Sequence, residues 1–303
     1  MFKGRNCLIF ILLLVFLIGC SHENLGSNLF PGKRGDVVSR GFGLQVEFLN
    51  NQPPREIFLT PGFDSSVPLS VRVTNLGPDS VTGKIKVYNT LTSEYGGIPD
   101  VYESGFSVDG SELIENRVVP VDEIVTLGDL SYNFDALNKR IDKRVQDTLV
   151  TEIDMDYDVR VGVPICISDP VGSDDCRLSE TITGQSLGRS ATSVPVTVKS
   201  ITKNLAPSGS DVLVSLKIVI ANVGNGKITN NDEKINDLIV SLDGDVLNCV
   251  STNNKNSLKQ GNFEVRCDVR RSPVFETPLL QISYNYGYKI KSSLPISIVL
   301  PED

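Results

Sequence analysis

Chemistry in this chain has to come from carboxylates and cysteines, because imidazole is nearly missing: His22 is the one histidine in 303 residues. Ser, Cys and Thr nucleophiles commonly depend on a histidine base, and histidine-rich metal sites need several imidazoles. Neither can be built here. Walker-type phosphate loops and dinucleotide fingerprints are absent as well. A pair of acids, as in glycoside hydrolysis, is the remaining catalytic option, since Asp and Glu are plentiful. The chain has no Trp, however, and so lacks the commonest sugar-stacking side chain. The reading is a protein that is not an enzyme and that holds no cofactor and no metal, with a carboxylate-dependent hydrolase as an alternative.

The cysteines carry the firmer signal, and their meaning depends on the N-terminal segment. Lys3 and Arg5 precede an apolar run from Leu8 to Ile18, which ends in Leu17-Ile18-Gly19-Cys20. Eleven apolar residues are short for a membrane span, which needs about 20, so cleavage is the better reading. The box resembles that of prokaryotic lipoproteins, which implies a signal peptide over 1–19, lipid attachment at Cys20 and a place on the extracytoplasmic face of the cell membrane. Cys7 and Cys20 then drop out, leaving Cys166, Cys176, Cys249 and Cys267. An even number in an exported chain implies disulfides. Of three connectivities, the local one, Cys166 with Cys176 and Cys249 with Cys267, is the most economical. Each loop closure is worth about 3 kcal/mol. A zinc site fits poorly, because no Cys-x-x-Cys pair exists.

Removing the signal takes away two bases and no acid, so the mature chain has 27 basic against 37 acidic residues, a formal charge of −10. That balance repels nucleic acid and keeps the surface solvated.

The elements that position these groups are strands. Residues 20–41 are polar, small and without sustained apolar period, and read as a tether. From residue 42 onward, alternating runs bounded by turn residues recur, which predicts an all-β protein of two immunoglobulin-like β-sandwich domains. The first covers 42–183 and the second 194–303. Residues 184–193, small and polar, read as the linker. Val71–Asn75 before Gly77 echoes Ile218–Asn222 before Gly224. Each is an alternating strand that stops at Asn-apolar-Gly, with Asn expected to bond local backbone and Gly to supply a positive φ.

From Leu149 to Ile165 the odd residues are apolar or uncharged and Glu152, Asp154, Asp156 and Asp158 fall on the other face. A strand that long is expected to bulge, bend or cross between sheets. The acid stripe is not an EF-hand, because Val159 stands where Gly is needed and Ile165 where the bidentate Glu is needed. Leu137, Ile141 and Val145 fit a short amphipathic helix between Tyr132 and Leu149, with Lys139, Arg140, Lys143 and Arg144 on its polar side. Tyr284, Tyr286 and Tyr288 share one strand face and are the expected partner contacts if exposed, or a core ladder if not.

Several stretches in order, among them Gly43-Leu44-Gln45-Val46, Gly184-Gln185, Ile220-Ala221-Asn222-Val223-Gly224 and Tyr284-x-Tyr286-Gly287-Tyr288, are similar to CARDB-like surface lipoproteins of small-genome archaea. The resemblance implies an immunoglobulin-like fold and a surface location, and no activity. The expected role is binding, adhesion or envelope structure, with the membrane as one partner through the Cys20 lipid and a surface protein or glycan as another. A subunit of a larger envelope or secretion assembly is the alternative, its exposed edge strands, such as Ile296 to Leu300, pairing with neighbours.

Overall fold

The computed structural model describes residues 37–301, apart from 41–42, 64, 92–95, 98–101, 116, 140–142, 172–174, 231, 253–255 and 260. The expected signal peptide, Cys20, His22 and most of the expected tether lie outside the described residues. The remainder is all-β and antiparallel almost throughout, as the alternating runs predict.

Two five-stranded sheets and one eight-stranded sheet make the body. The first outer sheet runs β1 (Val37–Arg40), β2 (Leu44–Phe48), β4 (Ser65–Asn75), β10 (Val121–Tyr132), β6 (Gly96–Gly97). The second runs β12 (Ser179–Thr183), β13 (Val196–Ser208), β14 (Asp211–Asn222), β19 (Asn262–Arg271), β18 (Cys249–Ser251). The central sheet runs β17 (Asp245–Val246), β16 (Asn236–Leu242), β20 (Leu279–Val299), β11 (Arg144–Pro164), β5 (Val81–Asn89) and β7 (Tyr102–Val108). β15 (Lys227–Ile228) and β3 (Glu56–Phe58) add to β20. A separate hairpin joins β8 (Glu112–Ile114) to β9 (Arg117–Val119).

The long strands decide the architecture. β11 and β20, of 21 residues each, pair from Arg144↔Val299 to Pro164↔Leu279 without a register break. At ~3.4 Å per residue each spans roughly 70 Å. The expected bulge or sheet crossing is absent from this pairing; β11 stays in one sheet and serves both sandwiches. Odd residues of β11 and even residues of β20 share the buried inner face along its length. The first outer sheet covers one half of that face, where Tyr132 reaches Asp147. The second covers the other half, where Tyr284 and Tyr286 reach Val196.

The two sandwiches are therefore present, but the division at residues 184–193 does not separate them. Gly35–Asp303 forms one compact unit, and the last strand of the second half completes the first. Nor are residues 184–193 a free linker. They form a 3-10 turn and a helical turn with Leu187 and Ala191 buried, and Arg189 donates to Leu76 O at 3.3 Å and Ser111 Oγ at 2.7 Å. Composition misleads here because small side chains also suit tight packing. Ile296 to Leu300 is corrected too: Ile296 pairs with Asp147, and Ser297–Val299 are held by β11 and β3 on either side. Over Ser297–Val299 both edges of the strand are taken.

The order of strands repeats. β2, β4 and β10 stand in the first outer sheet as β13, β14 and β19 do in the second. In the central sheet β11 and β5 mirror β20 and β16 about a local two-fold between the long strands. The Asn-x-Gly echo marks this repeat. Asn75 Oδ1 accepts from Gly77 N at 2.9 Å and its Nδ2 donates to Asp79 O at 2.8 Å. Asn222 Oδ1 accepts from Gly224 N at 3.1 Å and its Nδ2 donates to Gly226 O at 3.2 Å. The glycines are not there for a positive φ, which neither adopts. Gly224 is needed for space, since a Cβ would sit 2.7 Å from Pro195 Cβ and run into the Tyr288 hydroxyl.

The predicted helix is shorter than its apolar period suggests. It covers Phe134–Asn138, capped where Asn133 Oδ1 accepts from Ala136 N at 2.9 Å, and it buries Leu137. Ile141 and Arg140 lie outside the described residues. Val145 belongs instead to β11, where pairing with Ile298 holds it in the sheet.

Candidate functional site

The two faces of the central sheet differ in kind. The inner face is core. On the outer face, side chains of β11, β20 and β16 stand in ranks fixed by register: Gly162, Gln281 and Ser241; then Arg160, Ser283 and Ile239; then Asp158 and Asn285. A register shift between Asn236 and Ile239 completes the third rank. It places Asp237 with a φ of 49°, so that Asn285 Nδ2 donates to Asp237 Oδ2 at 2.8 Å. Bulges of this kind re-aim a side chain. Gly162, Ser241 and Ser283 are small, and between the longer neighbours they leave a trough of about 430 Å³.

The trough offers two carboxylates, one guanidinium, two primary amides and two hydroxyls. Arg160 Nη2 lies 3.2 Å from Asp158 Oδ2, with the side chains 80% and 65% exposed. An ion pair so exposed contributes about 0–1 kcal/mol, and a ligand can exchange it at little cost. Among the described residues no group of three His, Cys, Asp or Glu side chains is placed to hold a metal.

The equivalent outer face of the first half is filled. Glu152 stands between Lys86 and Lys291 in register, and Asp154 between Lys84 and Lys289. Glu152 Oε1 accepts from Lys291 Nζ at 3.1 Å and Tyr88 Oη at 3.0 Å. Lys289 pairs with Asp154 at 3.2 Å, and Lys84 and Lys86 both reach Glu103, at 3.1 and 3.3 Å. Lys291 in particular holds the Glu152 carboxyl below the usual carboxylate range, while Asp154 raises Lys289. The acid stripe thus divides: Glu152 and Asp154 are tied to lysines, whereas Asp158 lines the trough.

Tyr284, Tyr286 and Tyr288, the expected partner contacts if exposed, are core, none more than 2% exposed. Alternation places them together but cannot say which face is covered. Tyr286 stacks on Tyr157 with ring centroids 5.2 Å apart. Tyr284 Oη donates to Val196 O at 3.0 Å, and Tyr286 Oη accepts from Val196 N at 3.1 Å. Tyr288 Oη donates to Asn222 Oδ1 at 3.1 Å and accepts from Gly226 N at 2.8 Å. These bonds hold β20 from behind, on the face opposite the trough.

Both disulfides form with the local pairing. Cys249 and Cys267 are register partners on β18 and β19 with Cα atoms 4.3 Å apart. Cys166 and Cys176 close a surface loop with Cα atoms 5.6 Å apart. In the basic cluster, Arg144 pairs with Glu56 at 3.0 Å and Lys143 Nζ donates to Asn138 Oδ1 at 3.3 Å.

Among the described residues, two buried charged side chains escape the sequence reading. Asp147 is 2% and Lys203 0% exposed. Lys203 Nζ donates to Cys166 O at 2.8 Å and lies 3.4 Å from Glu180 Oε2. Each sits in the apolar phase of its strand, between Val145 and Leu149 or between Ile201 and Leu205, which is the signal that marks it.

Compared with known proteins, the chain matches no family model and no curated protein.

Proposed function

We propose that this chain is a lipid-anchored protein of the cell surface, with Cys20 as the lipid site, whose double sandwich presents a binding face and performs no chemistry of its own. The observation that carries this reading is the contrast within one sheet: an inner face wholly committed to core, and an outer face with one half closed by ion pairs and one half left as a polar trough. The two disulfides support it, because such staples persist in oxidising compartments outside the cytosol. So does the Leu17-Ile18-Gly19-Cys20 box. The immunoglobulin-like character of the sandwiches and the kinship with archaeal surface lipoproteins belong to the same proposal. Fractionation tests it: the native chain is expected in membranes and the Cys20→Ser chain in the soluble fraction. Cys20→Ser protein that still partitions wholly with membranes overturns the lipid anchor.

A second reading, a subunit of an envelope assembly, draws on the β8–β9 hairpin. Leu113, Ile114, Val118 and Val119 are all exposed there, and a two-stranded ribbon alone is marginal in water. Cross-linking on intact cells with reproducible links from residues 112–119 to one envelope protein favours it; links only within the chain count against it.

A further inference from the structure

We infer that the trough between β11, β20 and β16 binds a short neutral oligosaccharide, an inference that rests on the binding role proposed above and names its ligand class. The geometry sets the size. Three strands at ~4.8 Å and three ranks at ~6.8 Å make a floor of about 10 by 14 Å, long and shallow rather than deep.

The chemistry of the walls then removes the other classes. A phosphate or nucleic-acid ligand needs a surplus of positive charge, but Arg160 is the only cation among the lining residues and stands against two carboxylates, Asp158 and Asp237. A lipid or drug-like ligand needs mainly apolar and aromatic walls, and the one exposed apolar side chain here is Ile239, 47% exposed. A peptide strand added to the sheet needs a free edge, whereas the trough opens on the face of the sheet, over a middle strand, β20, that is paired with β11 on one side and β16 on the other. What remains are amides, hydroxyls and carboxylates at strand spacing: Gln281, Asn285, Ser241, Ser283, Asp158 and Asp237. Carboxylates accept at two oxygens and amides both donate and accept, which matches neighbouring sugar hydroxyls. Without an aromatic platform the complex depends on hydrogen bonds, so affinity at a single site is weak, about millimolar, near −4 kcal/mol.

The repeat supplies an internal control. At the equivalent place in the first half the ranks alternate Lys–acid–Lys and their charges satisfy one another. In the second half the same scaffold carries Gln281, Ser283 and Asn285 instead, and there the hollow opens.

The test uses the purified full chain in detergent with cellotriose, N,N′,N″-triacetylchitotriose and mannotriose as separate probes, followed by NMR of the Gln281 and Asn285 side-chain amides. At least one trisaccharide is expected to shift both resonances. Ser283→Trp, which fills the floor, is expected to abolish the shifts. Gln281→Ala, at an exposed position, is expected to weaken binding about tenfold, or about 1.4 kcal/mol, with the unfolding midpoint unchanged. No shift with any of the three probes overturns the inference, and so do shifts that both variants leave unaltered. Neither result depends on where the protein is displayed, so this failure and that of the Cys20 anchor are read separately.

Discussion

Tyr132 on β10 donates its hydroxyl to Asp147 Oδ2 on β11 at 2.7 Å, tying the first outer sheet to the central sheet through two buried side chains. Asp147 also accepts from Asn89 Nδ2 at 3.0 Å, Leu91 N at 3.1 Å and Thr148 N at 2.7 Å. A buried carboxylate persists only when it is satisfied in this way. Tyr132→Phe is expected to cost about 1.5–3 kcal/mol, the range for a bond to a charged group. Asp147→Ala is expected to cost more, because it strands several donors at once. Urea unfolding of the two variants gives the order; an Asp147→Ala chain as stable as Tyr132→Phe contradicts it.

Alkaline pH probes the same core. Burial, the largest cause in each case, raises the phenols of Tyr132, Tyr157, Tyr284, Tyr286 and Tyr288. In the unfolded chain a phenol ionises near pH 10. Folding therefore favours the protonated form, and the stabilisation is complete below pH ~10 and lost as pH rises above it, by up to about 1.4 kcal/mol per pH unit for each phenol. Denaturant midpoints between pH 8 and 11, about the free phenol value, are expected to fall, with tyrosinate absorbance appearing together with unfolding. Full tyrosinate absorbance from a chain that remains folded contradicts this.

Gly77 and Gly224 occupy matching turns but are not equally replaceable. A Cβ at Gly77 meets Asn75 Oδ1 at 3.2 Å, whereas one at Gly224 meets Pro195 Cβ at 2.7 Å and displaces the Tyr288 hydroxyl. Gly224→Ala is expected to cost about 1–3 kcal/mol through overpacking and Gly77→Ala distinctly less. Thermal unfolding of the pair measures the difference.

The shared central sheet makes the halves interdependent. Residues 37–183 expressed alone lack β20, which pairs with all of β11, and are expected not to give a cooperative unfolding transition. Supplying residues 184–303 as a second chain is expected to restore one. An independently folded first half overturns the shared-sheet account.

Each disulfide is expected to contribute about 3 kcal/mol through its loop closure. Replacing Cys249 and Cys267 together by Ser measures one by urea unfolding and replacing Cys166 and Cys176 together by Ser the other, while a non-reduced peptide map joining Cys166 to Cys176 checks the pairing.

By itself the sequence determined what is local. Period-two alternation set the strands and the shared face of β11, loop economy set both cysteine pairs, and the Asn-x-Gly echo gave the repeated strand end, because each depends on neighbours within a few residues or on chain entropy. What only the tertiary structure decided is long-range. Nothing near Tyr284 says which side of its strand will be covered; that depends on β13, which lies about 90 residues away in sequence. The pairing of β11 with β20 joins residues from Arg144 to Val299, and it alone turns two expected domains into one body. The trough arises the same way, since Asp158, Asp237 and Asn285 become neighbours only through the register of three strands and one bulge.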